Sequence, residues 1–121
     1  MISILLAAAL AGATPETAVV AETADYRQWP SAYDWYLATP ESVHARGLAG
    51  RAVLLCKATD LGILAKCKVQ DEDPKGAGFG KAAMSLRTKI KMVPTPKGQA
   101  KWVLVPFRWD KRGPYLPPQL P

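Results

Sequence analysis

Apolar and polar positions alternate with a period of two in three stretches of the chain, and one stretch between them repeats with the period of a helix. From Arg51 to Ala58, the residues Ala52, Leu54, Cys56 and Ala58 fall on one side of an extended chain. From Ile63 to Gln70, Ile63, Ala65, Cys67 and Val69 fall on one side and Lys66, Lys68 and Gln70 on the other. Asp60-Leu61-Gly62 between these runs is turn chemistry, so the pair reads as a hairpin. Alternation returns from Lys101 to Trp109, where Val103, Val105 and Phe107 share a face. Phe79, Ala83, Leu86 and Ile90 recur at helical spacing and predict a helix over 79–91, with Lys81, Arg87, Lys89 and Lys91 mostly off the stripe. Pro94 and Pro96 end it. A shorter helix is expected over 40–46, with Thr39 as N-cap, Pro40 as first helical residue and Gly47 as stop. Asp71–Gly78 reads as a loop, and Gly113–Pro121 as an extended, poorly ordered tail.

These elements constrain the topology. A hairpin makes the first two strands antiparallel, and a helical crossover returns the third strand parallel to the second. The expected fold is a small two-layer α+β domain: a mixed three-stranded sheet in the order 2-1-3, one face under the long helix, strands two and three left as open edges. Pro106 supports the placement of the third strand at an edge. It has no N–H to donate, so its nitrogen must face away from the neighbouring strand, which sends the backbone groups of Trp102, Leu104 and Arg108 outward.

Length and charge add to this picture. The chain has 121 residues, 49% hydrophobic and 21% charged, enough for one modest core. Met1–Ala13 is apolar but shorter than the roughly 20 residues that span a bilayer, and it reads as an export signal. Ile2–Leu10 is its core, and Ala11-Gly12-Ala13 its cleavage pattern, with Val19-Val20-Ala21 as a later alternative. No Lys or Arg precedes that core. The expected organisation is a signal over 1–21, a domain over 22–110 and a Pro-rich tail over 111–121, located in the periplasm with membrane association left open. Residues 1–50 hold two basic and five acidic side chains, whereas 51–121 hold fourteen and five. Such a surface attracts anionic lipid or an acidic protein; nucleic acid fits less well, because an exported domain meets little of it. The same charge also serves solubility alone.

The landmarks fall in a recognisable order. Gly50-Arg-Ala-Val-Leu-Leu-Cys56 leads to Leu64-Ala-Lys-Cys67-Lys-Val69, then Glu72-Asp-Pro74-Lys-Gly76-Ala-Gly78-Phe79-Gly80, Ala82-Ala83-Met84-Ser85-Leu86, Met92-Val-Pro94, Gly98 and Val103-Leu-Val-Pro106-Phe107-Arg108-Trp109. This set resembles the C-terminal domain of TonB, the energy transducer of Gram-negative envelopes, in a variant with two cysteines. Trp29-Pro30-Ser31 and Thr39-Pro40-Glu41 sit where that family places its lead-in segment and Tyr-Pro motif. The membrane-spanning helix and long Pro-rich spacer of a complete transducer are not in this sequence. The resemblance implies a non-enzymatic module that captures an extended segment of an outer-membrane receptor, or another envelope protein, as an added strand. It places the recipient edge on Lys101, Trp102, Val103, Leu104, Val105 and Arg108.

Other chemistry is weaker. Gly76-Ala-Gly78-Phe-Gly80 lacks the Lys-Ser or Lys-Thr of a phosphate loop, and the lone His44 has no nucleophile in a recognisable arrangement. Asp71, Glu72 and Asp73 are adjacent rather than spaced around a cation, and Cys56 with Cys67 are too few for zinc. No catalytic residue, cofactor, metal or small-molecule substrate is expected. Cys56 and Cys67 face each other across the hairpin if paired positions sum to 123, which leaves a disulfide and two buried thiols as alternatives. The competing function is a small structural or polyanion-binding envelope protein whose edge is blocked by residues 22–37 or by a second copy in a homodimer. Trp102 and Trp109 would then simply cover the rim of the core.

Overall fold

Strand alternation and the helical stripe both resolve into one hydrophobic core. The structure is a computed structural model that describes residues 18–21, 25–110 and, in backbone, 113–114. The Ile2–Leu10 run, the Ala11-Gly12-Ala13 pattern and most of the tail lie outside the described residues. In chain order the elements are β1 (Val19–Val20), β2 (Tyr26–Gln28), α1 (Ala32–Ala38), α2 (Glu41–Arg46), β3 (Gly50–Ala58), β4 (Leu64–Asp73), α3 (Phe79–Leu86), β5 (Lys91–Met92), β6 (Lys101–Asp110) and β7 (Gly113–Pro114).

The main sheet has the order β1-β6-β3-β4. Its three long strands are antiparallel β3 and β4 with β6 on the other side of β3, which is the 2-1-3 arrangement of an α+β domain. Ala52, Leu54, Cys56 and Ala58 of β3 and Val103, Val105, Phe107 and Trp109 of β6 point into the core. Phe79, Ala83, Leu86 and Ile90 meet them from the helix side, all essentially inaccessible to solvent. Gly50 makes the closest approach possible, since a methyl group there would collide with the Phe79 ring.

Several expectations need correction. The predicted 79–91 helix stops at Leu86, continues as a 3₁₀ turn over Arg87–Lys89, and gives way to β5, which pairs with β2 as a separate small sheet. The second long strand runs on to Asp73, so Asp71–Asp73 belong to β4 and not to a loop. Its facing also differs at the start: Leu64 is buried opposite Ala58, whereas Ile63 is 39% exposed. A bulge at Ala65 inserts one extra residue between the Ala58–Leu64 and Lys57–Lys66 pairs, and this reverses the alternation. A second bulge, at Gln70, separates the Leu54–Val69 and Val53–Asp71 pairs. Between the two bulges Cys56 lies directly opposite Cys67, and the pair is joined as a disulfide.

Helix α1 is absent from the periodicity but its start is written in the sequence. Ser31 accepts from the Asp34 N–H at 3.1 Å, and the Asp34 carboxylate accepts from the Ser31 N–H at 3.0 Å, a reciprocal capping box. Thr39 ends α1 rather than capping α2; Pro40 occupies the N-cap of α2, and Gly47 closes it in the left-handed region at φ 60°.

Candidate functional site

The two edges of the sheet differ in how they are finished. Strand β4 forms one edge, and among the described residues no strand pairs with its outer side. Two bulges interrupt it, and Lys66, Lys68, Asp71, Glu72 and Asp73 charge it along its length. Bulges and charges of this kind keep a strand edge from pairing with another chain. Arg51 further engages the Asp71 carboxylate in an ion pair.

Strand β6 forms the other long edge and is finished differently. Pro106 is opposite Val53 in the β3 register, and its missing donor leaves that ladder intact. Leu104 turns its carbonyl away from β3 and accepts from the Ala21 N–H at 2.9 Å. By alternation, Trp102 and Arg108 direct their backbone groups the same way, while Lys101, Val103 and Val105 pair with Ala58, Cys56 and Leu54. Of the recipient residues named from the sequence, Trp102, Leu104 and Arg108 are therefore outward in backbone, and Lys101, Val103 and Val105 are not. Val103 and Val105 serve the core instead, at 1% and 0% exposure.

The edge of β6 is not wholly open, contrary to the sequence expectation. Val19 and Val20 pair with it in parallel at Val103 and Leu104, and Gly113–Pro114 pair with it at Trp109 and Asp110. This covering strand was missed because two valines inside an apolar N-terminal region read as part of an export signal. The blocking segment expected at 22–37 instead supplies β2 and α1, which pack on the core and on β5.

Side chains around this strand divide by face. Trp102 is half-buried on the face away from the helix, with the Lys57 ammonium 5.9 Å from its ring centroid. Trp109 is on the core face, 4% exposed, and its indole N–H donates to Thr39 Oγ1 at 2.9 Å. Thr39 Oγ1 in turn donates to the Trp35 carbonyl at 2.6 Å, so α1 is tied to the end of β6. Trp109 is thus part of the core.

A cleft of about 240 Å³ opens where α1 and α2 meet β6, lined by Trp35, Tyr36, Val43, His44, Leu48 and Trp109 among others. His44 Nε2 donates to the Tyr36 carbonyl at 2.9 Å, and its ring packs on that of Tyr36. No group of three metal-capable side chains occurs among the described residues. No described helix is long and apolar enough to cross a membrane.

No family model and no curated protein matches the chain. Among solved structures it is similar to the solution NMR structure of the Pseudomonas aeruginosa TonB CTD, at 20% sequence identity and a TM-score of 0.53. The similarity covers 78% of this chain and 93% of that one, so it extends over nearly the whole of the TonB domain. At this identity the likeness is one of fold: a small α+β domain with a mixed sheet and a few helices.

Proposed function

We propose that the chain is a TonB-like binding module that takes up an extended segment of an outer-membrane receptor, or another envelope protein, as a strand added along β6. The reading assigns it to the periplasm and to TonB-dependent transport, with no reaction catalysed. The observation that carries it is the asymmetry of the two edges. Strand β4 is bulged and charged, whereas β6 is a ten-residue strand covered by β1 at Val103 and Leu104. Trp102, Leu104 and Arg108 supply backbone groups to the guest, and Trp102 offers an indole for its side chains to pack on.

The test is amide-resolved titration of the labelled protein with extended N-terminal segments of outer-membrane receptors. Shifts are expected at Trp102, Leu104 and Arg108. Leu104→Pro removes an outward donor at the centre of the edge and should weaken binding by about tenfold or more. A folded Leu104→Pro protein with unchanged affinity would rule out strand addition. One observation favours a second reading: the bond from Ala21 to Leu104 closes part of the edge from within. In that reading the chain is a structural or polyanion-binding envelope protein, and it binds no such segment even after residues 1–21 are removed.

A further inference from the structure

The end of the molecule formed by the β3–β4 turn departs from the chemistry of an ordinary turn. The Gly62 N–H donates to the Thr59 carbonyl at 2.9 Å, which places Leu61 near the apex, 70% exposed. Turn apices are normally polar or glycine, because nothing there repays the exposure of a large apolar side chain. Leu61 is not isolated. Ile63 beside it is 39% exposed, and Val93 is 47% exposed on the neighbouring segment. These residues are held together by backbone bonds: Met92 N–H to the Gly62 carbonyl at 2.8 Å, and Thr95 N–H to the Asp60 carbonyl at 2.9 Å. Gly62 permits this approach, at φ +88° and with no room for a side chain against the Met92 carbonyl.

Lysines surround this apolar end. Lys57 and Lys66 are directly opposite each other in the β3–β4 register, a like-charge pairing that costs stability unless an anion offsets it. Lys101 closes the same end of β6 opposite Ala58, and Lys97 extends from the adjoining loop. None of these four ammonium groups is in an ion pair with a described residue. The Asp60 carboxylate is engaged by the Gly98 N–H at 2.9 Å, and Asp25 is nearby, its carbonyl accepting from Val93. The exposed apolar residues of α1, Tyr33, Tyr36 and Leu37, lie near the other end of β6, where the Lys89 ammonium already faces the Asp34 carboxylate at 4.0 Å.

We propose that this end is a membrane-docking surface for an anionic lipid bilayer, with Leu61, Ile63 and Val93 entering the headgroup region and Lys57, Lys66, Lys97 and Lys101 meeting lipid phosphates. An apolar tip flanked by long cationic side chains matches the interface of a bilayer, which is apolar below and negatively charged above. The surface adjoins the Trp102 end of the β6 edge, where Lys57 lies over the Trp102 ring, but Leu61, Ile63 and Val93 are outside that edge, so lipid docking does not depend on the peptide-binding reading.

Vesicle flotation with the full chain tests it, comparing phosphatidylcholine vesicles with vesicles that also contain phosphatidylglycerol. Binding is expected to the anionic vesicles alone and to weaken with added salt. Lys66→Gln and Lys97→Gln should each lower vesicle affinity about fivefold. Leu61→Asp should remove most of it without changing the melting temperature, whereas Tyr33→Asp on α1 should leave it intact. Equal binding to both vesicle types would overturn the proposal. So would full retention by Leu61→Asp, which would indicate a polyanion site without insertion. A dimer that Leu61→Asp dissociates, with no flotation, would overturn it in favour of a second copy of this chain.

Discussion

The Ala21 N–H donates to the Leu104 carbonyl at 2.9 Å, filling a bond at the centre of the edge proposed to receive a guest strand. Val19 and Val20 beside it remain 52% and 56% exposed, so little apolar burial holds this short strand in place. Deleting residues 1–21 should therefore tighten guest binding by about tenfold, the worth of one or two net hydrogen bonds no longer competing. Calorimetric titration of both forms measures this, with melting followed alongside because Ala21 itself is buried. Unchanged or weaker binding by a folded truncated form would show that β1 does not compete.

The Cys56–Cys67 bridge closes a loop of about 12 residues, and its removal should cost about 2 to 3 kcal/mol. Urea melts of the wild type and a Cys56→Ser/Cys67→Ser double variant measure the difference. Thiol titration of the unfolded, unreduced protein should detect no free thiol. Two per chain would mean that the bridge does not form in the protein as purified.

Phe79 and Leu86 lie on the sheet-facing stripe of α3 at 0% and 1% exposure. Truncating either to Ala should destabilise the domain by about 2 to 5 kcal/mol. Phe79 has the additional role of filling the space above Gly50 and packing on Trp109, with ring centroids 5.0 Å apart. Lys81→Ala, on the exposed face, should be nearly silent in the same denaturation series. A Lys81→Ala loss as large as that of Leu86→Ala would mean that the packing phase is wrong.

Asp34 titrates below the usual carboxylate range, first because its carboxylate accepts from the Ser31 backbone, then through its bond with the Ser31 side chain and the charge of Lys89. A carboxyl group whose pKa is lowered by folding binds fewer protons in the native state. Its contribution to stability is thus present above its unfolded pKa of about 4 and is lost as pH falls through the folded value. Asp34→Asn should reduce stability at neutral pH, and the difference from wild type should shrink in acid. Thermal melts of both proteins across that range check it, and a difference that grows on acidification would contradict the assigned cap.

What the sequence revealed follows from how strongly each residue's burial imposes a period. Phe79, Ala83, Leu86 and Ile90 carry one face of a helix into the core, so their spacing was legible even though the α-helix itself ends at Leu86. The 2-1-3 order followed from the hairpin and the crossover alone. Helix α1 was not legible from periodicity, because Trp35 alone in its span is buried while Tyr33, Tyr36 and Leu37 face out. Only the Ser31–Asp34 cap signalled it. The bulge at Ala65 was invisible for a related reason: Leu64 and Ile63 are both apolar, and composition does not say which is turned inward. At the candidate edge, Pro106 identified which backbone groups face outward, but nothing in two valines at 19 and 20 announced that they would lie against Leu104.

The aromatic packing behind β6 bears on how this edge would behave as a receptor. Phe107 lies between Trp29 and Trp35, at 5.8 and 5.7 Å, and Trp109 lies against Trp35 at 5.3 Å. Together with the indole bond from Trp109 to Thr39, these contacts clamp the core side of the strand, while its outer edge is covered at Val103 and Leu104 by the two-residue β1 and at Trp109 and Asp110 by β7. A receptor edge clamped in this way is already ordered before its ligand arrives. The entropy lost on association then falls mainly on the incoming peptide, and a stiffer peptide, one restrained toward the extended conformation, should gain affinity where further rigidity in the domain would bring little.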